Sequence, residues 1–165
     1  MQSIENWKPV NGYEGHYMVS DQGRVRSLDV TTSDSRKRTG RILAQTPVPN
    51  GYLTVVLYRN GRKTHTVHRL VAAAFHGSSA MPVVRHLDGT RTNNRASNLA
   101  WGTHRENSED SLRHGTNANA RKTMCIREHE YTIENTGTRE GGRRYCKRCE
   151  SNRVMATYYK KKVTT

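Results

Sequence analysis

The sequence predicts an α+β fold built as small modules in series: antiparallel strands at the N-terminus, a strand–loop–strand–helix core, and a separate C-terminal module. Only 33% of the 165 residues are apolar and Phe occurs once, so one thick core is hard to build and several thin ones are easier. Short alternating runs punctuated by Gly, Asn and Asp fill the first third of the chain, the period of half-buried strands. All three cysteines fall after residue 124, so the C-terminal stretch carries a constraint of its own.

Taken in order, Tyr17-Met18-Val19 and Val25-Arg26-Ser27-Leu28 read as two strands around the turn-like Asp21-Gln22-Gly23. Residues 31–40 are polar and basic with nothing to bury, which predicts a mobile loop. Arg41 to Ala44 and Tyr52 to Tyr58 read as strands, and Asn60-Gly61 joins the latter to Lys63–Val67 as a hairpin, because both residues tolerate positive φ. Val67 to Phe75 carries Leu and Ala at helical spacing and stops before Gly77. Val83 to Gly89 reads as a strand breaking into a turn, and Leu99-Ala100-Trp101 as its partner. Thr103 to Glu106 is a capping box that opens a helix closed by Gly115. The expected divisions are residues 1–40, 41–115, a linker at 116–124, and 125–165.

Twenty-eight Lys and Arg stand against 14 acidic residues, a net charge of +14. That excess calls for a polyanion, and nucleic acid is the first expectation. No apolar run is long enough to span a bilayer and no charged-then-apolar leader opens the chain, so a soluble, unsecreted protein without a membrane partner is expected. The basic residues are scattered along the whole chain and not gathered on one amphipathic helix, which also argues against a membrane surface.

Hydrolysing a phosphodiester requires an activated water, an offset for charge growing on the phosphate, and support for the departing oxygen. A neutral imidazole suits the first task and a hard cation held by oxygen ligands suits the others. His86 at the end of one strand and Asn107 in the first turn of the following helix have the placement for that pair. Asn93 and Asn94 read as loop formers, since Asn tolerates left-handed backbone. Trp101 reads as core and His104 as surface.

The stretches Val67-His68-Arg69-Leu70-Val71, Arg85-His86-Leu87-Asp88-Gly89, Asn93-Asn94-Arg95, Asn98-Leu99, Trp101 and Glu106-Asn107 together resemble the HNH endonuclease superfamily, in its phage homing branch with the ββα-metal fold. Upstream, Trp7-Lys8-Pro9-Val10, Gly12-Tyr13-Glu14-Gly15 and Gly23-Arg24-Val25-Arg26-Ser27-Leu28 look like the DNA-binding motif that often precedes such modules. The resemblance implies a nuclease of double-stranded DNA with His86 as general base, Asn98 bracing its loop, and Asn107 ligating catalytic Mg²⁺ or Mn²⁺. Many relatives place a second metal ligand just before the general base, where this chain has Arg85; a guanidinium cannot bind a cation, and Arg85 is expected to stabilise the phosphate instead. Asp88 suits a structural turn better than a ligand position. Arg24, Arg26, Arg36, Lys37, Arg38, His68 and Arg69 are the expected DNA contacts, with packing at the start of the helix an equal alternative for His68 and Arg69. The resemblance also implies a phage or mobile-element product acting in the bacterial cytoplasm. A monomer is the default and a dimer the alternative, since no heptad or large apolar face predicts association. A DNA-binding protein with a degenerate, silent site is the competing reading.

Cys125 and His129 form one close pair, Cys146 and Cys149 a second, which suits four-coordinate structural Zn²⁺. This stretch resembles the small zinc-finger tail of some phage HNH proteins. A module of about forty residues cannot bury enough apolar surface unaided, so Zn²⁺ is expected to supply folding energy. Arg143, Arg144, Lys147, Arg148, Arg153 and residues 160–162 would face phosphates.

Overall fold

The computed structural model describes residues 4–31 and 35–163, which divide into two compact units, Met1–Thr116 and Asn117–Thr165. In the first unit β1 (Trp7–Pro9), β2 (Tyr17–Ser20) and β3 (Val25–Ser27) form an antiparallel sheet in chain order. Val19 and Val25 stand opposite one another and are fully buried, as alternation requires. Beyond them, β4 (Val30–Thr31) pairs with β5 (Lys37–Arg38), so part of the expected loop is a hairpin whose backbone groups satisfy one another. Residues 32–34, in the middle of that loop, lie outside the described residues. Arg41 to Ala44, expected as a strand, contributes one bridge, Ile42 opposite Arg26; Ile42 is half exposed, so little burial rewards a longer ladder.

A second antiparallel sheet contains β6 (Thr46–Pro47), β7 (Leu53–Tyr58) and β8 (Arg62–Thr66), with Asn60 and Gly61 both at positive φ in the turn. β8 runs directly into α1 (Val67–His76), which buries Val67, Val71 and Ala72 on one face. Then β9 (Val83–His86) pairs antiparallel with β10 (Leu99–Gly102), placing Leu99 opposite His86 and Ala100 opposite Arg85. The connecting loop ends in a 3₁₀ turn at Ala96–Asn98. α2 (His104–Arg113) opens on the expected reciprocal capping box between Thr103 and Glu106. Trp101 packs against the core and donates its indole N–H to the Gly77 carbonyl at 3.0 Å.

Val10 just after β1, Val19 and Val25 from β2 and β3, Val55 and Leu57 from β7, Val67 and Val71 from α1, and Val84 and Leu99 from the hairpin belong to one continuous core. The N-terminal strands therefore lean on the strand–strand–helix unit, where separate thin cores were expected. Each buried Val or Leu contributes about 1.5 to 3 kcal/mol.

In the second unit α3 (Ala118–Arg121) lies within the expected linker, capped by the Asn117 side chain, which accepts from the Asn119 and Ala120 amides at 3.0 Å. β11 (Thr136–Thr138) and β12 (Arg144–Cys146) form a hairpin that leads straight into α4 (Lys147–Val163). The side chains of Lys161 and Lys162 lie outside the description. Among the described residues, no helix is long and apolar enough to cross a membrane.

Leu57→Ala, at a fully buried position, is expected to lower unfolding free energy by about 2 to 5 kcal/mol in a denaturant titration. Ile126→Ala, at a fully exposed one, should stay within about 0.5 kcal/mol of the parent.

Candidate active site and metal centre

His86 is the last residue of β9 and is 7% exposed. Its Nε2 donates to Asn94 Oδ1 at 3.1 Å. The His68 ring lies edge-on at 5.3 Å, and Tyr52 stands 5.8 Å from His86 and 4.7 Å from His68. An amide oxygen only accepts, so Nε2 carries the hydrogen and Nδ1 keeps its lone pair. Burial holds the His86 imidazole below its ordinary pKa, partly offset by the Asn94 bond and the Asp88 charge, so the neutral form is favoured. His68 is pushed down to about 4, first by burial and then by His86 and Arg69.

The loop after His86 is braced from within. Asn98 donates to Asp88 Oδ1 at 2.9 Å and to the Asn93 carbonyl at 2.8 Å, and its Oδ1 accepts the Asp88 amide at 3.0 Å. Asp88 also accepts from the Thr90 amide and the Asn93 side chain, both at 2.7 Å. Burial alone would raise the Asp88 carboxyl, but hydrogen bonds from Asn93, Thr90 and Asn98 bring it to about 2. That carboxylate is occupied in a turn. Gly89 follows at φ +74, where a Cβ would fall 2.7 Å from His114 Nδ1.

Arg85 points away from this pocket, because successive side chains leave a strand on opposite faces. Its Nε donates to Asp110 Oδ2 at 2.7 Å and its Nη1 lies 3.0 Å from Glu106 Oε1, both on α2. Asp110 is 4% exposed, and the Arg85 bond holds its carboxyl below the usual range. Asn107 sits exposed in the first turn of α2, and its side chain forms no hydrogen bond with another described residue. Arg85 thus ties the helix carrying Asn107 to the strand carrying His86. No direct bond joins His86 and Asn107.

Of the expected DNA contacts, Arg24 pairs with Glu5, and Arg24 and Arg26 stack over Trp7 at 5.8 and 4.4 Å. Lys37 and Arg38 are exposed on β5, Arg36 is exposed beside them, and Arg69 donates to the Pro82 carbonyl at 3.0 Å. His68 is 6% exposed and faces His86, so it packs in the pocket around His86, in line with the packing role at the helix start that was the alternative to a DNA contact. Tyr52, Asn94 and Asp110 were not marked by the sequence. Nothing in Asn93-Asn94 distinguishes the amide that meets His86 from the one that shapes the loop.

In the second unit the ligand atoms of Cys125, His129, Cys146 and Cys149 all lie within 4.8 Å of one another. Cys125 Sγ is 3.6 Å from Cys149 Sγ, and His129 Nδ1 is 3.2 Å from Cys149 Sγ and 3.6 Å from Cys146 Sγ. A tetrahedron with Zn–S of about 2.3 Å and Zn–N of about 2.0 Å has edges of about 3.5 to 3.8 Å. Three sulfurs so close cannot all ionise without a cation. Burial opposes ionisation of Cys146, but the Cys149 amide and His129 outweigh it and bring the thiol to about 6, whereas burial and the neighbouring thiols push Cys149 to about 11. The donor set therefore fits a thiophilic divalent ion. The chemistry around Asn107 differs: Arg85 engages the carboxylates of Glu106 and Asp110, and Arg113 also pairs with Asp110, so Asn107 offers an amide oxygen, a donor that fits a hard cation which keeps most of its water.

Residues 5–58 match the family model described as the NUMOD4 motif, and residues 65–109 match the one described as HNH endonuclease. The chain is 39% identical over 112 residues to the DNA endonuclease I-HmuI of Bacillus phage SP01, covering 67% of this chain and 59% of that relative. An uncharacterized HNH endonuclease of Acanthamoeba polyphaga mimivirus is 29% identical over 131 residues, covering 79% of this chain and 36% of the relative. A solved structure, described as DNA binding and cleavage by the HNH homing endonuclease I-HmuI, matches with a TM-score of 0.56 at 39% identity, over 67% of this chain and 60% of the other. The chain thus spans less than two thirds of the length of these relatives.

As pH falls below about 6.5, an unfolded chain protonates His68 while the folded pocket refuses the proton until about 4. The unfolded state then binds more protons, so stability present above that window is lost on acidification through it. Unfolding free energy should accordingly fall between these limits. His68→Gln should flatten the slope by up to about 1.4 kcal/mol per pH unit, and an unchanged slope would contradict the buried neutral ring.

Proposed function

We propose that this chain is a phage homing-type HNH endonuclease hydrolysing phosphodiester bonds of double-stranded DNA, a reading supported by the match of residues 65–109 to the HNH endonuclease model and of residues 5–58 to the NUMOD4 motif. The observation that carries this reading is the buried His86 imidazole, with Nε2 bonded to Asn94 and Nδ1 left as the basic nitrogen. Nδ1 takes a proton from water as the water oxygen bonds to phosphorus. The bond from phosphorus to the 3′ oxygen breaks, the departing oxygen takes a proton from solvent water to become the 3′ hydroxyl, and Nδ1 returns its own proton to solvent. Mg²⁺ or Mn²⁺, when bound, offsets charge on the phosphate and supports the departing oxygen.

Asn107 is the protein oxygen offered to that cation, Asn98 keeps the loop after His86 closed, and Arg85 fixes α2 against the hairpin that carries the base. Because the Glu106 and Asp110 carboxylates are engaged by Arg85, the cation is expected to bind the core together with DNA and hardly at all without it. Arg24, Arg26, Arg36, Lys37, Arg38 and Arg69 supply phosphate contacts, and the charge of +14 favours the duplex from a distance. One such site per monomer makes nicking the default outcome. We place its action in the cytoplasm of a bacterial host. In the tail, Cys125, His129, Cys146 and Cys149 hold a structural Zn²⁺ whose binding energy is part of the folding energy, and Arg143, Arg144 and Arg148 on the same unit extend the DNA footprint.

Supercoiled plasmid should be nicked with Mg²⁺ or Mn²⁺ and spared with EDTA, and His86→Ala should lose at least about 100-fold in rate. Retarded migration of DNA without metal-dependent cleavage would favour the silent DNA-binding protein instead. Asn107→Ala should raise the metal concentration for half-maximal cleavage at least about tenfold. An unchanged metal response would reassign the ligand. Freshly purified protein should carry one zinc per chain, and Cys146→Ser with Cys149→Ser should unfold the tail; a metal-free yet folded tail would overturn the zinc assignment.

A further inference from the structure

We propose that Asn94 is a positioning residue that fixes the tautomer of His86, and that the β2–β3 turn of the N-terminal motif seats it. The inference rests on His86 acting as the general base. Among the described residues, Asn94 Oδ1 is the one hydrogen-bond partner of the His86 ring, at 3.1 Å. Tyr52 and His68 press on the ring without hydrogen-bonding it, so they restrict its plane but cannot choose which nitrogen keeps the proton.

Asn94 is 4% exposed, and among the described residues its buried Nδ2 has no hydrogen-bond partner, so packing has to seat the side chain. Gly23, at φ +83, lies so close that a Cβ there would fall 2.9 Å from both Asn94 Cβ and the Asn94 carbonyl oxygen. Two residues on, the Ala96 amide donates to the Asp21 carbonyl at 2.8 Å, and its carbonyl accepts from His76 Nε2 at 2.8 Å. The turn is fastened in its own right. Gln45 Nε2 donates to the Gly23 carbonyl at 2.7 Å, Asn6 Nδ2 donates to Asp21 Oδ2 at 2.9 Å, and the Asp21 amide donates to the Asn6 carbonyl at 3.0 Å. An unbroken chain of contacts runs from Asn6 through Asp21 and Gly23 to Asn94 and His86. The motif at residues 5–58 is therefore part of the catalytic apparatus as well as a surface for DNA.

Nitrogen NMR of the full-length protein, with the His86 signal assigned by its loss in His86→Ala, reads the tautomer without needing activity. The wild-type ring should be neutral with hydrogen on Nε2. Asn94→Ala should give mixed tautomers and a kcat lower by at least about tenfold, with KM and metal requirement within about twofold of the parent. Asn94→Asp should restore the Nε2–H tautomer and move the acid limb of the kcat/KM profile to higher pH, because a carboxylate favours the imidazolium. The other titratable groups around the ring, Tyr52, His68, Asp88 and Arg91, are the same in both proteins, so the shift reports position 94. Gly23→Ala should mix the tautomers with the same sign as Asn94→Ala. A wild-type ring protonated on Nδ1, or an Asn94→Ala protein with unaltered tautomer and kcat, would overturn the proposal. Full cleavage by His86→Ala would instead strike at the general-base reading, while the tautomer measurement would still decide the link from Gly23 to Asn94.

Discussion

Strand alternation at β9 sends adjacent residues to opposite faces, and the site is arranged around that parting. His86 enters a buried pocket closed by Tyr52, His68 and Asn94, while Arg85 leaves on the other side to meet Glu106 and Asp110 of α2. A one-residue slip of the β9–β10 pairing would exchange the two, putting a guanidinium in the pocket and the imidazole among carboxylates. Register is held by Leu99 opposite His86, by the buried Val84, and by the Asn98 bonds that close the loop.

The same parting explains the charge balance around the proposed cation site. Arg85 occupies the strand position where the resemblance leads one to expect a metal ligand, and it engages the Glu106 and Asp110 carboxylates of the helix that carries Asn107. Removing one partner of this pair would strand a buried Asp110 charge, a cost of about 3 to 5 kcal/mol for buried pairs in general. The pair therefore serves as a brace between helix and strand, and phosphate oxygens become the natural remaining ligands for a cation beside Asn107.

Much of this was legible in the sequence because it rests on local rules. The Asn60-Gly61 turn, the arrest of α1 at Gly77 and the Thr103–Glu106 box each follow from backbone preferences of a few neighbouring residues. The spacing of cysteines and His129 likewise foreshadowed a cluster that the fold draws together. What was not legible depends on contacts between distant segments. Asn94 read as a loop former because its meeting with His86 and Gly23 exists only in three dimensions. His68 read as either a DNA contact or a packing residue, because helix periodicity does not reveal that Tyr52 and His86 cover that face. The shared core was hidden for a similar reason: apolar residues are sparse in each segment, and only their sum across 4–116 makes a core.

The central claim is that His86 Nδ1 faces the scissile phosphate while Asn107 addresses a cation on the same phosphate. A crystal structure of the full chain on cleavable duplex DNA with Ca²⁺ in place of the active metal measures this directly. The account predicts one water bridging His86 Nδ1 and the phosphorus, and Asn107 Oδ1 on the cation. A duplex seated with its phosphates away from both residues would contradict it.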